Sequence, residues 1–197
     1  MKEFWDERYK DTAFAYGQEP NDFLKEQPIG SGLTVLCLAE GEGRNGVYLA
    51  KLGNHVTCVD YSAVGLEKTQ ELAAQNGVAL SCICADLAEM DLEANAWDLI
   101  VGVFAHFPSN VKKHIWPQIS QALKPGGRLL MEVYDQEQLR FGTGGPKEAE
   151  LLYSTEELHE LLGTDFTSVQ IDKVYREVKE GTYHNGASAT LQITAIK

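Results

Sequence analysis

Positive charge is scarce in this sequence of 197 residues: 17 Lys and Arg stand against 29 Asp and Glu, a formal net charge of −12. No Lys/Arg cluster interrupts that balance. Nucleic-acid affinity rests largely on cations displacing phosphate counterions, so a DNA or RNA partner is disfavoured and a small-molecule partner favoured. Long apolar runs are also missing. No stretch reaches the roughly 18 residues that a membrane span needs, and the opening MKEFWDERYK lacks the apolar core of a signal peptide. A soluble, cytoplasmic protein without a membrane partner is expected. Cysteine is sparse: Cys37, Cys58, Cys82 and Cys84 each fall inside an apolar run that reads as a central strand. Buried free thiols in a reducing compartment follow. Cys82 and Cys84, two apart, share a face of a strand and do not form the spaced pair of a zinc knuckle, so no metal site is expected.

What is present is globular. Apolar residues make up 44% and charged residues 23%, which excludes wholesale disorder. The length suits one domain with a modest cap. Residues 1–30 carry Phe4, Trp5, Tyr9, Phe14, Tyr16 and Phe23, broken by Pro20 and Pro28, and read as one or two short helices packed on the main body. A regular alternation follows. Strands are expected at 34–38, 55–59, 80–85, 97–103 and 128–133, the fourth nearly all apolar, as burial on both faces requires. Helices are expected at 46–52, at 63–75 with an Asn76-Gly77 stop, and at 111–123 around Pro117. Alternation of this kind argues for a doubly wound α/β fold, a parallel sheet with helices on both faces. The ending differs. After a helix at 154–162 opened by a capping box, stretches 168–179 and 187–196 have no helix between them and read as an antiparallel terminal hairpin. Residues 136–150, with Gly142, Gly144, Gly145 and Pro146, form an irregular loop of the kind that covers sites.

The strongest local signal is Val35-Leu36-Cys37-Leu38-Ala39-Glu40-Gly41-Glu42-Gly43-Arg44-Asn45-Gly46, a strand running through a glycine turn into a helix. Gly41 and Gly43 permit a tight bend and let a ligand lie against bare backbone. Residues 41–46 also spell G-x-G-x-x-G, a motif that dinucleotide enzymes share. The next strand ends at Asp60, 17 residues beyond Gly43, where an acid accepts hydrogen bonds from ribose hydroxyls. The third strand ends at Asp86, where an acid can take the exocyclic amine of an adenine with Leu87 against the ring.

Together with Lys124-Pro125-Gly126-Gly127-Arg128 before the fifth strand, these features make residues 33–134 resemble the core of the class I S-adenosylmethionine-dependent methyltransferases. The resemblance implies a seven-stranded sheet in the order 3-2-1-4-5-7-6 with strand 7 antiparallel, and S-adenosylmethionine as cofactor. It implies Gly41 and Gly43 at the methionine end, Asp60 on the ribose, Asp86 and Leu87 on the adenine, and Val103 and Phe104 near the cofactor's middle. Glu40, Arg44, Asn45, Tyr61 and Ser62 complete the expected contacts. The family usually carries an acid where this chain has Cys37 and a glycine where it has Ala39, which leaves Glu40 or Glu42 to meet the cofactor's amino group. Residues 1–197 then divide into a cap (1–30), a cofactor core (33–134), and a lid loop, helix and hairpin (135–197). A narrower resemblance rests on Trp5-Asp6-Glu7-Arg8-Tyr9, residues 39–45, Ala105-His106-Phe107-Pro108, Thr143-Gly144-Gly145-Pro146 and Glu180-Gly181-x-x-His184-x-Gly186. These look like the small bacterial methyltransferases related to tellurite-resistance and thiopurine methyltransferases, and imply that Tyr9 and its aromatic neighbours fold over the cofactor.

Methyl transfer is an in-line displacement in which alignment supplies much of the rate. A soft anionic acceptor needs no base, whereas a hydroxyl or amine needs its proton taken. His106, after the fourth strand, is the first candidate base, and His184, in the hairpin turn, the second; each also reads as a histidine bonded to backbone or solvent. Arg44 suits an anionic acceptor or the cofactor carboxylate, or else pairs with a neighbouring acid. The rival readings are a nicotinamide-dependent oxidoreductase, which lacks here a Tyr-x-x-x-Lys pair and room for a catalytic domain, and a cofactor-binding protein without turnover. The acceptor's identity, and the choice between monomer and homodimer, stay open.

Overall fold

The computed structural model describes residues 2–11 and 13–197; Met1 and Thr12 of the expected cap lie outside the described residues. Two short helices, α1 (Lys2–Tyr9) and α2 (Asp22–Glu26), lead into β1 (Thr34–Leu38), α3 (Arg44–Lys51), β2 (His55–Asp60), α4 (Ala63–Gln75) and β3 (Ser81–Cys84). Then come β4 (Trp97–Val103), α5 (Ser109–Ala122), β5 (Leu123–Tyr134), α6 (Thr155–Leu162), β6 (Ser168–Glu180) and β7 (His184–Ile196). The strands form one sheet in the order β3-β2-β1-β4-β5-β7-β6. The first five run parallel, and β7 is antiparallel to both β5 and β6. This is the expected order, with β7 reversed as expected.

The apolar runs explain the middle of the sheet. Along β1, Val35 and Cys37 face one side, with Leu49, Leu66 and the α2 residues Phe23 and Leu24. Leu36 and Leu38 face the other, with Ile115, Trp116 and Ile119 of α5. Neither face of β1 meets water, so no polar alternation survives in its sequence. Local caps set the helix ends: the Ser62 side chain accepts from Gly65 N–H at α4, and the Ser154 side chain from Glu157 N–H at α6.

Three expectations change. Helix α3 begins at Arg44, two residues early, because Gly43 itself is the N-cap, in a left-handed conformation (φ 88°). Strand β5 starts at Leu123 and takes the Pro-Gly-Gly turn into an irregularity against β4. Cys37 and Cys58 are buried, but Cys82 is only half-buried and Cys84 is exposed. β3 is an edge strand, and residues 85–96, which lead from it to β4, contain no helix to cover it. A groove of about 600 Å³ results at the amino ends of the strands, lined by Thr34, Thr57, Ser81 and Trp97 among others. It lies at the opposite end of the sheet from the acids that close β2 and β3.

Candidate active site

The carboxyl ends of β1 and β4 are neighbours, yet the chain leaves them toward opposite halves of the sheet. Crevices form at such switch points. The residues that leave these strands, Ala39 (φ 50°) and Phe104 (φ 52°), are both left-handed without being glycine. Each such residue stores of order 1–2 kcal/mol of backbone strain, and strain of this kind collects at functional sites. Ala39 keeps the bend for which the family usually uses glycine. Phe104 is held by its N–H on Glu132 O (2.7 Å) and by stacking on Tyr134 (ring centroids 4.5 Å).

Beside this bend, Asp60 ends β2, only 6% exposed. Its Oδ2 accepts from Gly41 N–H and its Oδ1 from Ser62 N–H, both at 2.8 Å. Burial pushes its carboxyl upward, and those amides oppose the rise. Asp86 stands at the next strand end, since Ala85 N–H donates to Asp60 O. Its Oδ1 accepts from Ala88 N–H, Leu87 is buried beside it, and its charge raises the Tyr61 phenol. Asp60 and Asp86 therefore share one rim. Ser62, besides capping α4, donates to Asp6 Oδ1 (2.6 Å) and so ties α1 to the same rim.

The acids of the glycine turn face different ways. Glu40 Oε1 accepts from the Asn45 and Gly46 amides at the start of α3 (2.8 and 2.7 Å). Desolvation pushes its carboxyl up to about 7, against the pull of those amides and of Arg44. Glu42 turns toward the N-terminal segment: it accepts from the Ala15 and Tyr16 amides and pairs with Lys68. Tyr9 lies directly on the turn. A Cβ at Gly41 would stand 2.6 Å from its hydroxyl, and one at Gly65 2.9 Å from its ring. Trp5 stacks on Tyr9 in turn (5.6 Å, 22°).

Other expected residues are engaged elsewhere. Arg44 pairs with Glu180 at 2.5 Å, so its charge is already matched inside the protein, and Asn45 Oδ1 accepts from Asn21 N–H. Both belong to a buried network in which Arg176 grips Glu132 through two nitrogens and reaches Glu180, while Asn21 donates to both acids. His106 is a strut: its Nδ1–H donates to Leu151 O (3.0 Å) and its Nε2 accepts from Tyr134 N–H (3.3 Å). Desolvation pushes its pKa down to about 4. With both nitrogens on main chain, the ring has no free position for an acceptor's proton.

His184 is the opposite case. It opens β7 instead of sitting in the turn, is 8% exposed, and its Nδ1 has no partner among the described residues. Tyr16, Phe104 and Tyr134 wall it in at 4.6, 4.4 and 5.3 Å between centroids. Burial drives its pKa well below the ordinary value, so it is a neutral imidazole. Tyr134 Oη, also buried, makes no hydrogen bond of acceptable geometry, although Ser188 stands near enough to oppose the rise that burial imposes on the phenol. The lid loop closes the box, for a Cβ at Gly145 would stand 2.6 Å from the Tyr134 ring. Arg8 donates to Tyr16 Oη (3.1 Å), lies over the Tyr183 ring (3.8 Å), and forms no ion pair among the described residues.

A sheet in this order, with β7 reversed and two acids on the rim of the β1/β4 switch, has the class I methyltransferase fold. The family described as a methyltransferase domain matches residues 35–127, which run from β1 into the Pro-Gly-Gly turn. An uncharacterized methyltransferase, YbaJ of Bacillus subtilis (strain 168), is 32% identical over 113 residues, covering 56% of this chain and 43% of that protein. Phosphoethanolamine N-methyltransferase 1 of Triticum aestivum is 26% identical over 146 residues, covering 66% of this chain and 29% of that protein. The chain thus spans less than half the length of these curated relatives. Among solved structures, a protein from work on the conversion of a disulfide bond into a thioacetal group during echinomycin biosynthesis superposes with a TM-score of 0.79 at 18% identity, over 100% of this chain and 91% of that one. Phosphoethanolamine N-methyltransferase 2 of Haemonchus contortus, in complex with phosphomonomethylethanolamine and S-adenosylhomocysteine, gives 0.71 at 18% identity, over 98% of this chain and 56% of that one. The domain match thus takes in just under half of this chain, and the solved structures share its fold.

Proposed function

We propose that this protein transfers a methyl group from S-adenosylmethionine to a small molecule, and that the rim formed by Gly41, Asp60 and Asp86 holds the cofactor. The observation that carries the reading is the convergence of the buried Asp60 carboxylate, held by the Gly41 and Ser62 amides, and the bent Ala39–Gly43 backbone at the switch point. The donor set fits an adenosyl amino acid. Asp60 accepts from the ribose hydroxyls, Asp86 and Leu87 meet the adenine beside Tyr61, and Val103 and Phe104 flank the middle. Glu40, already bound to two amides through Oε1, offers Oε2 to the ammonium in place of the acid missing at Cys37. Gly41 offers bare backbone, and Tyr9 covers it. Gly43 serves mainly packing, since a Cβ there would stand 2.6 Å from Thr69. When bound, the cofactor supplies a carbon activated by a sulfonium leaving group.

The chain's own residues supply alignment and dryness. Phe104 leaves β4 at the switch point and packs edge-on against His184, so an acceptor against His184 would lie beside Phe104. The unpartnered His184 nitrogen takes a proton from an acceptor that carries one, and Arg8 is placed to attract an anionic one. Arg44 and Asn45 act through the network that holds the hairpin.

Titration calorimetry tests the cofactor assignment. Micromolar binding of S-adenosylmethionine or S-adenosylhomocysteine is expected, and Asp60→Asn should weaken it about 10- to 100-fold, the worth of a charged hydrogen bond or two. Undiminished affinity in Asp60→Asn would overturn the ribose assignment, and binding of NADH with neither of these ligands would favour the oxidoreductase. Turnover of labelled cofactor with thiols, selenite, tellurite and small acids then identifies the acceptor atom.

A further inference from the structure

We infer that the buried Glu42–Lys68 ion pair is a latch that clamps residues 9–16 onto the glycine turn, which makes Lys68 a positioning residue for the cap over the cofactor. What the cap covers rests on the methyltransferase reading; the latch itself does not. Lys68 lies on the core-facing side of α4 with Gly65 and Leu72, and is 8% exposed. An ammonium at such a position demands a complete set of acceptors. It finds them in one place: Glu42 Oε1, Asp11 O (2.9 Å), Ala13 O (2.8 Å) and, more distantly, Tyr9 O (3.3 Å). The Phe14 ring lies 4.7 Å away.

The other oxygen of Glu42 completes the clamp, accepting from Ala15 N–H (2.8 Å) and Tyr16 N–H (3.4 Å). One ion pair therefore takes both kinds of backbone group, the carbonyls of Tyr9, Asp11 and Ala13 and the amides of Ala15 and Tyr16. Among the described residues between α1 and α2 no helix or strand satisfies them internally. The placement of Glu42 gives the latch its consequence. It sits between Gly41 and Gly43, so the turn that offers its backbone to the cofactor holds the cap with its one side chain. Tyr9 on Gly41 and Tyr16 on His184 are the two ends of the clamped segment. One device thus sets the roof of the cofactor rim and a wall of the acceptor box.

Hydrogen exchange without cofactor, read by mass spectrometry on peptides spanning 9–16, tests the latch directly. In Lys68→Met and Glu42→Gln the Ala15 and Tyr16 amides should exchange at least tenfold faster than in the wild type, with β4 and β5 peptides unchanged. Lys68→Arg, which keeps the cation and its donors, should restore most of the protection. Affinity for S-adenosylhomocysteine should fall about tenfold in the first two variants and recover in the third. Should Lys68→Met fail to fold, Glu42→Gln, which preserves volume, gives the same two readouts. Retained protection of 15 and 16 in a folded variant overturns the latch; a loosened cap with unchanged affinity overturns its positioning role. A loosened cap in a protein whose wild type binds no S-adenosylhomocysteine leaves the latch standing and removes the methyltransferase reading.

Discussion

Replacing Gly41 with alanine should destabilise the protein through Tyr9, and removing the Tyr9 hydroxyl should relieve much of the damage. Gly41 has φ +66°, so alanine there meets left-handed strain of about 1–2 kcal/mol, offset by about 0.4–1 kcal/mol from a stiffer unfolded chain. The new Cβ would stand 2.6 Å from Tyr9 Oη and 3.1 Å from Cζ. Forcing a methyl into such a contact costs about 1–3 kcal/mol. Gly41→Ala alone should therefore lose about 2–3 kcal/mol. In a Tyr9→Phe background the nearest obstacle becomes the ring carbon Cζ, which needs to give by only a few tenths of an ångström, so the same substitution should lose only about 1 kcal/mol. Urea unfolding of the four proteins of the cycle measures the difference. A coupling of about 1–2 kcal/mol is expected, well above the roughly 0.5 kcal/mol scatter of independent sites. Additive losses would refute the seating of Tyr9 on the turn, and with it the roof over the rim.

Glu40, pushed up to about 7, is mostly protonated at pH 6; an ammonium laid against it should drive that proton off. Calorimetric titration with S-adenosylmethionine at pH 6, in two buffers of different ionisation enthalpy, should show release approaching one proton, and equal heats in both would remove Glu40 from the ammonium. His106, held down to about 4, has a folded pKa below its ordinary 6.5, so folding favours the neutral ring. Its contribution is complete above pH 6.5 and is lost as pH falls toward 4, by about 3 kcal/mol in all. Glu40 runs the other way, its contribution complete below about 4.5 and lost as pH rises through 7, so the His106 slope is best read as wild type minus His106→Gln in urea midpoints between pH 7 and 4.5. His184→Asn should lower kcat about 100-fold or more for an acceptor that carries a proton while cofactor affinity holds, the range of a lost general base; an unchanged kcat with such an acceptor would return His184 to a packing role.

How much of this was readable from the chain depends on how local each signal is. β1, β2 and β4 are buried on both faces and so leave near-continuous apolar runs, and Gly41, Asp60 and Asp86 mark the ends of β1, β2 and β3. The surroundings of the two histidines differ for a reason no local pattern carries. His106 became a strut because Leu151 O and Tyr134 N–H, left over by loop and sheet packing, meet at its ring. His184 became buried because the lid loop, Phe104 and Tyr16 converge on it from distant parts of the sequence. Cys84 is exposed because the path from β3 to β4 lacks a helix, which strand patterning alone does not reveal. Nothing local marks Lys68, because its partner lies 26 positions upstream.

The insertion of β7 between β5 and β6 has a consequence for synthesis. Until residues 184–196 emerge, β5 exposes an open ladder edge beside an otherwise assembled half-sheet. In the middle of that edge strand sits Glu132, whose ion-pair partner Arg176 arrives only with β6. A bare carboxylate on an unfinished border discourages stray strands from annealing to it. The acid that later anchors the hairpin thereby guards the nascent protein while it waits.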